Sequence, residues 1–189
     1  IIMGNVRILE VKQSIFESND KQAALLREEL KKDGVFLLNL MSSPGSGKTT
    51  TLTRTIEALK DDLKIGVMEA DIDSDVDAET ILKTGAKAIQ LHTGGMCHLD
   101  ADMTRQGLKG LGTDDVELVI LENVGNLVCP AMFDLGESKK VVIVSTTEGD
   151  DKPLKYPHIF QEADICVINK IDLAPYLNTK VEVLRENAL

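Results

Sequence analysis

The stretch Ser42-Ser43-Pro44-Gly45-Ser46-Gly47-Lys48-Thr49 constrains this chain more than any other. It follows the apolar run Val35 to Met41 directly and precedes the helical pattern Lys48 to Leu59 directly. A turn of this composition lets consecutive backbone N–H groups converge on phosphate oxygens, because Gly45 and Gly47 carry no Cβ to block the approach. Ser46 and Thr50 complete the cradle. Lys48 brings a point charge to the β and γ oxygens, Thr49 a hydroxyl for Mg²⁺, and the helix its positive end. The first glycine of the usual pattern is replaced by Ser42, a departure that requires a serine to accept the local backbone geometry.

The rest of the chain repeats the same alternation. Apolar runs recur at Lys64 to Ala70, Ala86 to Leu91, Val116 to Leu121, Lys140 to Thr146 and Ile165 to Ile168, with helical patterns at Ala78 to Thr84, Leu99 to Leu111 and Ile159 to Glu162. Short uninterrupted Val, Ile and Leu runs between helices predict a mostly parallel sheet buried on both faces. The expected fold is α/β, three layers of the P-loop NTPase type with helices on both sides of the sheet. Residues 1–34, with a helix over Lys21 to Asp33 ended by Gly34, read as a helical N-terminal extension to a nucleotide-binding domain over 35–189. The chain begins at Ile1 and stops at Leu189 within a helical pattern, so both ends read as incomplete.

Sheets of this kind bind ligands at the carboxyl ends of their strands, and the remaining motifs fall there. Asn169-Lys170-Ile171-Asp172 follows the run Ile165 to Ile168. In an NKxD element the Asp172 carboxylate accepts from the N1–H and amine of guanine, a donor pair that adenine lacks, so GTP is favoured over ATP. Asp71, Asp77 and Glu122 are candidate Mg²⁺ partners together with Thr49, Asp77 and Glu122 being favoured and Asp71 next, since such a cation takes only one or two protein carboxylates. Asp73, Asp75 and Glu79 read as solvated. Asn123 to Asn126 reads as a switch in which the Gly125 N–H approaches the γ-phosphate. Lys48, Asp77, Glu122 and Gly125 are therefore the candidate catalytic set. No glutamine stands where many GTPases orient water, and slow hydrolysis is expected.

A further element is less usual. Cys97 and His98, after Gly94 and Gly95, suit a soft or borderline cation such as Zn²⁺ or Ni²⁺, and Cys129 is a third candidate ligand. Two ligands are too few for a closed tetrahedral site, whereas a two-fold dimer placing two such loops face to face supplies enough. Cys166 lies in a strand pattern and is expected in the core. His92, His158 and Lys152 read as structural or exposed.

Composition excludes other classes. Lys plus Arg number 21 against 31 Asp plus Glu, a net charge of −10, and the aromatics are two Tyr and four Phe with no Trp. A basic groove with stacking platforms is thus absent from the sequence, which argues against nucleic-acid binding. No apolar run approaches the roughly 20 residues of a membrane span. No secretory signal pattern is present, and three widely spaced cysteines suit a reducing, cytoplasmic location.

Taken together, the strings Ser43 to Thr49, Asp77-Ala78-Glu79, Cys97-His98-Leu99-Asp100-Ala101, Glu122 to Pro130, Glu148 to Pro157 and Asn169 to Leu173 resemble the nickel-incorporation GTPases of hydrogenase maturation, the HypB family. The resemblance spans nearly the whole chain. It implies a SIMIBI-class GTPase that forms a homodimer with GTP and assists nickel delivery to the large subunit of [NiFe]-hydrogenase. It further implies work with a HypA-type metallochaperone, sometimes a SlyD-type partner, and a zinc or nickel site of Cys97, His98 and Cys129 at the dimer interface. Two departures stand out: neither an N-terminal cysteine motif nor a His-rich stretch precedes Asn39, and the chain stops at Leu189 without the family's late guanine-closing loop. Two other readings stay open, a metal-binding or storage module with a vestigial P-loop and a urease or cobalamin accessory GTPase. The Cys97-His98 pairing, with no His after Cys129-Pro130, favours hydrogenase.

Overall fold

The computed structural model describes residues 7–11, 19–70 and 81–189. Among the described residues seven strands form one sheet: β1 (Arg7–Glu10), β2 (Phe36–Ser42), β3 (Ile65–Glu69), β4 (Lys87–His92), β5 (Leu118–Glu122), β6 (Lys139–Ser145) and β7 (Ile165–Asn169). Their order is β1-β4-β3-β5-β2-β6-β7, and every pairing is parallel. The helices are α1 (Asn19–Asp33), α2 (Lys48–Leu59), α3 (Ala101–Leu111), α4 (Lys152–Lys155), α5 (Pro157–Glu162) and α6 (Val181–Ala188), with 3₁₀ turns at Cys129–Met132, Thr146–Glu148 and Ile171–Tyr176.

Side-chain alternation along each strand sorts the core into two layers. In β2, Leu37 and Met41 face one side, where Leu26 and Leu30 of α1, Met103 and Leu108 of α3 and Ile159 of α5 pack. Leu38 and Leu40 face the other, against Leu52 and Ile56 of α2. The neighbouring strand β5 repeats the division, with Val119 and Leu121 on the first side and Ile120 on the second. Each fully buried aliphatic side chain contributes roughly 1.5–3 kcal/mol, so this double burial is what makes a continuous apolar strand stable in the middle of the sheet.

Local signals set the helix ends. Gly34, at φ +71°, closes α1, and the Val35 N–H reaches back to the Leu30 carbonyl at 2.9 Å. The Asp100 side chain caps α3 by accepting from the Met103 N–H at 2.8 Å. By contrast α2 has no side-chain cap; it opens directly from Gly47 with its first N–H groups turned toward the preceding loop.

Two expectations need correction. The segment before Gly34 is more than a helical extension: Arg7–Glu10 adds an edge strand paired with β4, and α1 packs beside α3. Cys166 is exposed, because β7 lies at the sheet edge rather than in its interior. The helix predicted over Ala78 to Thr84 is described only from Ile81, where it is helical at 81–82 and then turns; residues 78–80 lie outside the described residues, as do Asp71, Asp73, Asp75, Asp77 and Glu79. Among the described residues no helix is long and apolar enough to cross a membrane.

Candidate functional site

The central strands β5 and β2 end side by side, and the loops that follow them meet. Gly45 and Gly47 take φ +75° and +96°, conformations that an L side chain adopts only with strain. Ser42 does not share them: its backbone is ordinary, and its hydroxyl donates to the Ser43 carbonyl at 2.8 Å. The serine departure in the motif is therefore harmless, since the position it fills needs no left-handed residue.

Lys48 is buried, with its ammonium 3.1 Å from the Asn123 carbonyl and 3.6 Å from Glu122 Oε1. The Thr49 hydroxyl faces the same Glu122 oxygen at 3.4 Å. Thus Lys48 and Thr49 meet Glu122, distant in the chain, at one mouth. Ser46 Oγ is buried there and has no hydrogen-bond partner among the described residues. A hydroxyl, a carboxylate and an ammonium beside an uncapped helix start suit a phosphate with its divalent cation: Thr49 and Glu122 offer the hard oxygen ligands, and the N–H groups and Lys48 the anion contacts. Gly125 lies against this loop, so close that a Cβ on it would stand 3.3 Å from Pro44 Cγ.

The base-recognition motif is tied to the same loop. The Asn169 amide donates to the Ser46 carbonyl at 2.9 Å, and the Lys170 ammonium donates to the Gly45 carbonyl at 2.7 Å. Lys170 is held for this reach at φ +57°, and its own carbonyl accepts from Thr146 Oγ1 at 2.6 Å. Asp172 follows on an exposed turn, clear of these contacts. Two of the three motif residues thus brace the phosphate loop, leaving the carboxylate outward where a base would be read.

Beyond Gly125 the chain reaches Cys129, which meets Cys97. Cys97 Sγ and Cys129 Sγ are 2.8 Å apart, and His98 Nδ1 is 3.9 Å from Cys97 Sγ. The His98 ring stacks on Phe133, with centroids 4.0 Å apart. The Cys97 thiol beside Cys129, with a smaller contribution from burial, holds the Cys129 thiol above its ordinary pKa. Two adjacent sulfurs with an imidazole at their flank are soft donors of the kind that Ni²⁺ and Zn²⁺ take. Among the described residues no three Cys, His, Asp or Glu side chains gather as a complete ligand set.

Asn126 joins the two halves. Its Nδ2 donates to the Cys97 carbonyl at 2.8 Å, while its Oδ1 accepts from the N–H groups of Val128 at 3.0 Å and Cys129 at 2.8 Å. One amide therefore fixes both thiol-bearing segments from a position next to Gly125. The sequence places Asn126 in the switch but does not reveal this bridge. It also misses Glu148, whose carboxylate accepts from the Ser43 hydroxyl at 2.5 Å and the Ser145 N–H at 2.8 Å and pairs with Lys152 at 3.5 Å. A capping-box pattern over Ser145 to Glu148 is the one local hint of that residue.

The CobW/HypB/UreG nucleotide-binding domain matches residues 35–189. A hydrogenase maturation factor HypB from Rhizobium leguminosarum bv. viciae is 50% identical over 187 residues, 99% of this chain and 62% of that protein. The chain thus spans about three-fifths of the length of the curated relatives it matches first. Among solved structures, the hydrogenase maturation factor HypB from Archaeoglobus fulgidus superposes with a TM-score of 0.84 at 45% identity, covering 90% of this chain and 83% of that one. HypB from Helicobacter pylori in complex with nickel gives 0.83 at 42% identity, covering 90% and 80%.

Proposed function

The chain belongs to the CobW/HypB/UreG family, and from that premise we propose that it is a GTP-binding and GTP-hydrolysing metallochaperone that assists nickel insertion into [NiFe]-hydrogenase. The observation that carries this reading is the four-residue span Asn123 to Asn126. At one end the Asn123 carbonyl receives the Lys48 ammonium; at the other the Asn126 amide holds Cys97 and Cys129. A phosphate that draws Lys48 and the Gly125 N–H toward itself acts on the same short segment that spaces the thiols. A ligand shifts an equilibrium only by its differential affinity for the two arrangements, and this segment offers a physical source for the difference.

In the proposed reaction the P-loop N–H groups and Lys48 bind and orient the phosphates, Asn169 and Lys170 brace the loop against the base site, and Asp172 selects guanine. Thr49 and Glu122, with Asp71 or Asp77 as further candidates, would hold Mg²⁺, which supplies charge neutralisation on the phosphate oxygens. Nickel or zinc is cargo, taken by Cys97, His98 and Cys129, with a second copy of the chain completing the ligand set in a GTP-dependent homodimer. A HypA-type metallochaperone, the hydrogenase large subunit and a SlyD-type chaperone are the proposed partners, and the cytoplasm the proposed location.

The test compares the parent with Lys48→Ala in GTP turnover, in oligomeric state with GTPγS or GDP, and in nickel transfer. Loss of turnover, of the GTPγS dimer and of transfer together supports the proposal. Nickel transfer that survives Lys48→Ala would instead favour a metal-binding module whose phosphate loop is a scaffold. Hydrogenase activity restored in a deletion strain separates hydrogenase from urease or cobalamin targets.

A further inference from the structure

Asn39 stands in the middle of β2, between β5 and β6 in the sheet, and is completely buried. A polar side chain in that place needs partners, and it has two. Its Nδ2 donates to Glu137 Oε1 at 3.1 Å, and its Oδ1 accepts from Asn123 Nδ2 at 3.1 Å. Asn123 Oδ1 in turn accepts from the Val124 N–H at 2.8 Å, and Glu137 Oε2 accepts from the Leu135 N–H at 2.7 Å. The result is a continuous buried relay running from the start of the switch to the loop before β6.

The relay has a logic of donors and acceptors. Backbone N–H groups, Val124 at one end and Leu135 at the other, both donate into it. A primary amide accepts through its oxygen and donates through its nitrogen, so each Asn passes the direction along unchanged. With donors entering from both ends, one member must accept on both sides, and a carboxyl group does that. Glu137 is that member. It is 4% exposed, and burial pushes its carboxyl above the ordinary range, with Asp134 adding to the rise and the Asn39 amide and Lys140 opposing it. Burying a carboxyl is costly, and a neutral amide of the same size would leave two donors facing each other.

What the relay holds is Asn123. Its N–H donates to the Leu40 carbonyl at 2.9 Å, its carbonyl receives Lys48, and its side chain is fixed by Asn39 and Val124. We propose that Glu137 and Asn39 are positioning residues for the phosphate site: they fix the peptide on which the Lys48 ammonium rests and confine the motion of the switch to the residues after Asn123. Neither side chain touches the phosphate mouth itself. This rests on the reading of the chain as a GTPase.

The relay makes a prediction that a merely structural role does not. Glu137→Gln removes the double acceptor, and Asn39→Asp creates a second one facing the first; each leaves one mismatched contact. The double variant, Asn39→Asp with Glu137→Gln, moves the double acceptor one place along the relay and satisfies every contact again. Steady-state GTP turnover of the 189-residue chain is measured at a temperature where circular dichroism shows all variants folded. Each single variant should lose about tenfold in kcat with KM changed less than about threefold, and the double should return to within about threefold of the parent. Should a single variant fail to fold, the double variant decides, since it must fold and turn over GTP. Single variants that lose thermal stability yet keep the parent kcat, or a double variant no better than the worse single, would overturn the assignment. A parent chain without GTP turnover would overturn the GTPase reading itself, an outcome visible before any variant is compared.

Discussion

Replacing Gly47 by Ala tests whether the phosphate loop and the base motif form one unit. Gly47 sits at φ +96°, where an L residue costs about 1–2 kcal/mol. A Cβ there would also collide with Asn169 Nδ2, so Asn169 must move and give up its bond to the Ser46 carbonyl, a further loss of about 1 kcal/mol. The total is about 2–3 kcal/mol. Gly45 provides the control: at φ +75° it carries similar strain, but a Cβ there meets nothing within 4 Å, so Gly45→Ala should cost about 1–2 kcal/mol. Urea unfolding without nucleotide measures both, and each kcal/mol should move the thermal midpoint by about 2–4 °C for a chain of this size. The excess at Gly47 should disappear in an Asn169→Ala background, because the collision partner is gone, giving a coupling energy near 1 kcal/mol. Gly47→Ala no worse than Gly45→Ala, or an excess that persists without Asn169, would mean that the two segments are not coupled through this contact.

Other perturbations probe the remaining parts of the site. Asn126→Ala should weaken nickel binding about 10- to 100-fold without touching a ligand, as loss of an orienting partner does at metal sites; a competitive chelator titration reads it. Cys97→Ala should weaken nickel and zinc binding strongly and Cys166→Ala little, since Cys166 lies on the exposed edge strand away from the thiol pair; equal effects would remove Cys97 from the assignment. Gly136→Ala combines φ +80° with a Cβ 2.9 Å from the Ala23 carbonyl, so it should loosen the seat of α1 by about 2–3 kcal/mol in chemical denaturation.

Much of this architecture is legible in the residues, for identifiable reasons. The strand runs and the helix over Lys48 to Leu59 stand out because burial on both faces forces unbroken apolar stretches between periodic ones, and the phosphate loop follows from glycine spacing alone. Arg7–Glu10 escapes the same reading because an edge strand with charged ends has no such run. Cys166 is misplaced by the converse error: the pattern Ile165 to Ile168 says strand, but a strand's burial depends on its place in the sheet, which periodicity does not encode. The adjacency of Cys97 and Cys129 is foreseeable from their chemistry, whereas the Asn126 bridge between them depends on how two loops fold together. Asn39 and Glu137, separated by 98 positions, leave no local trace of their contact. A buried Asn in a central strand is the signal that a partner must exist, though not of which residue it is.

The proposed function joins nucleotide state to metal affinity through Asn123 to Asn126. The most direct measurement is a nickel titration of the chain saturated with GTPγS and Mg²⁺, set against the same titration with GDP and Mg²⁺. The two affinities should differ by about fivefold or more, with about half a nickel per chain in the GTPγS state, as a ligand set shared between two copies requires. Identical affinity and stoichiometry in the two nucleotide states would contradict it.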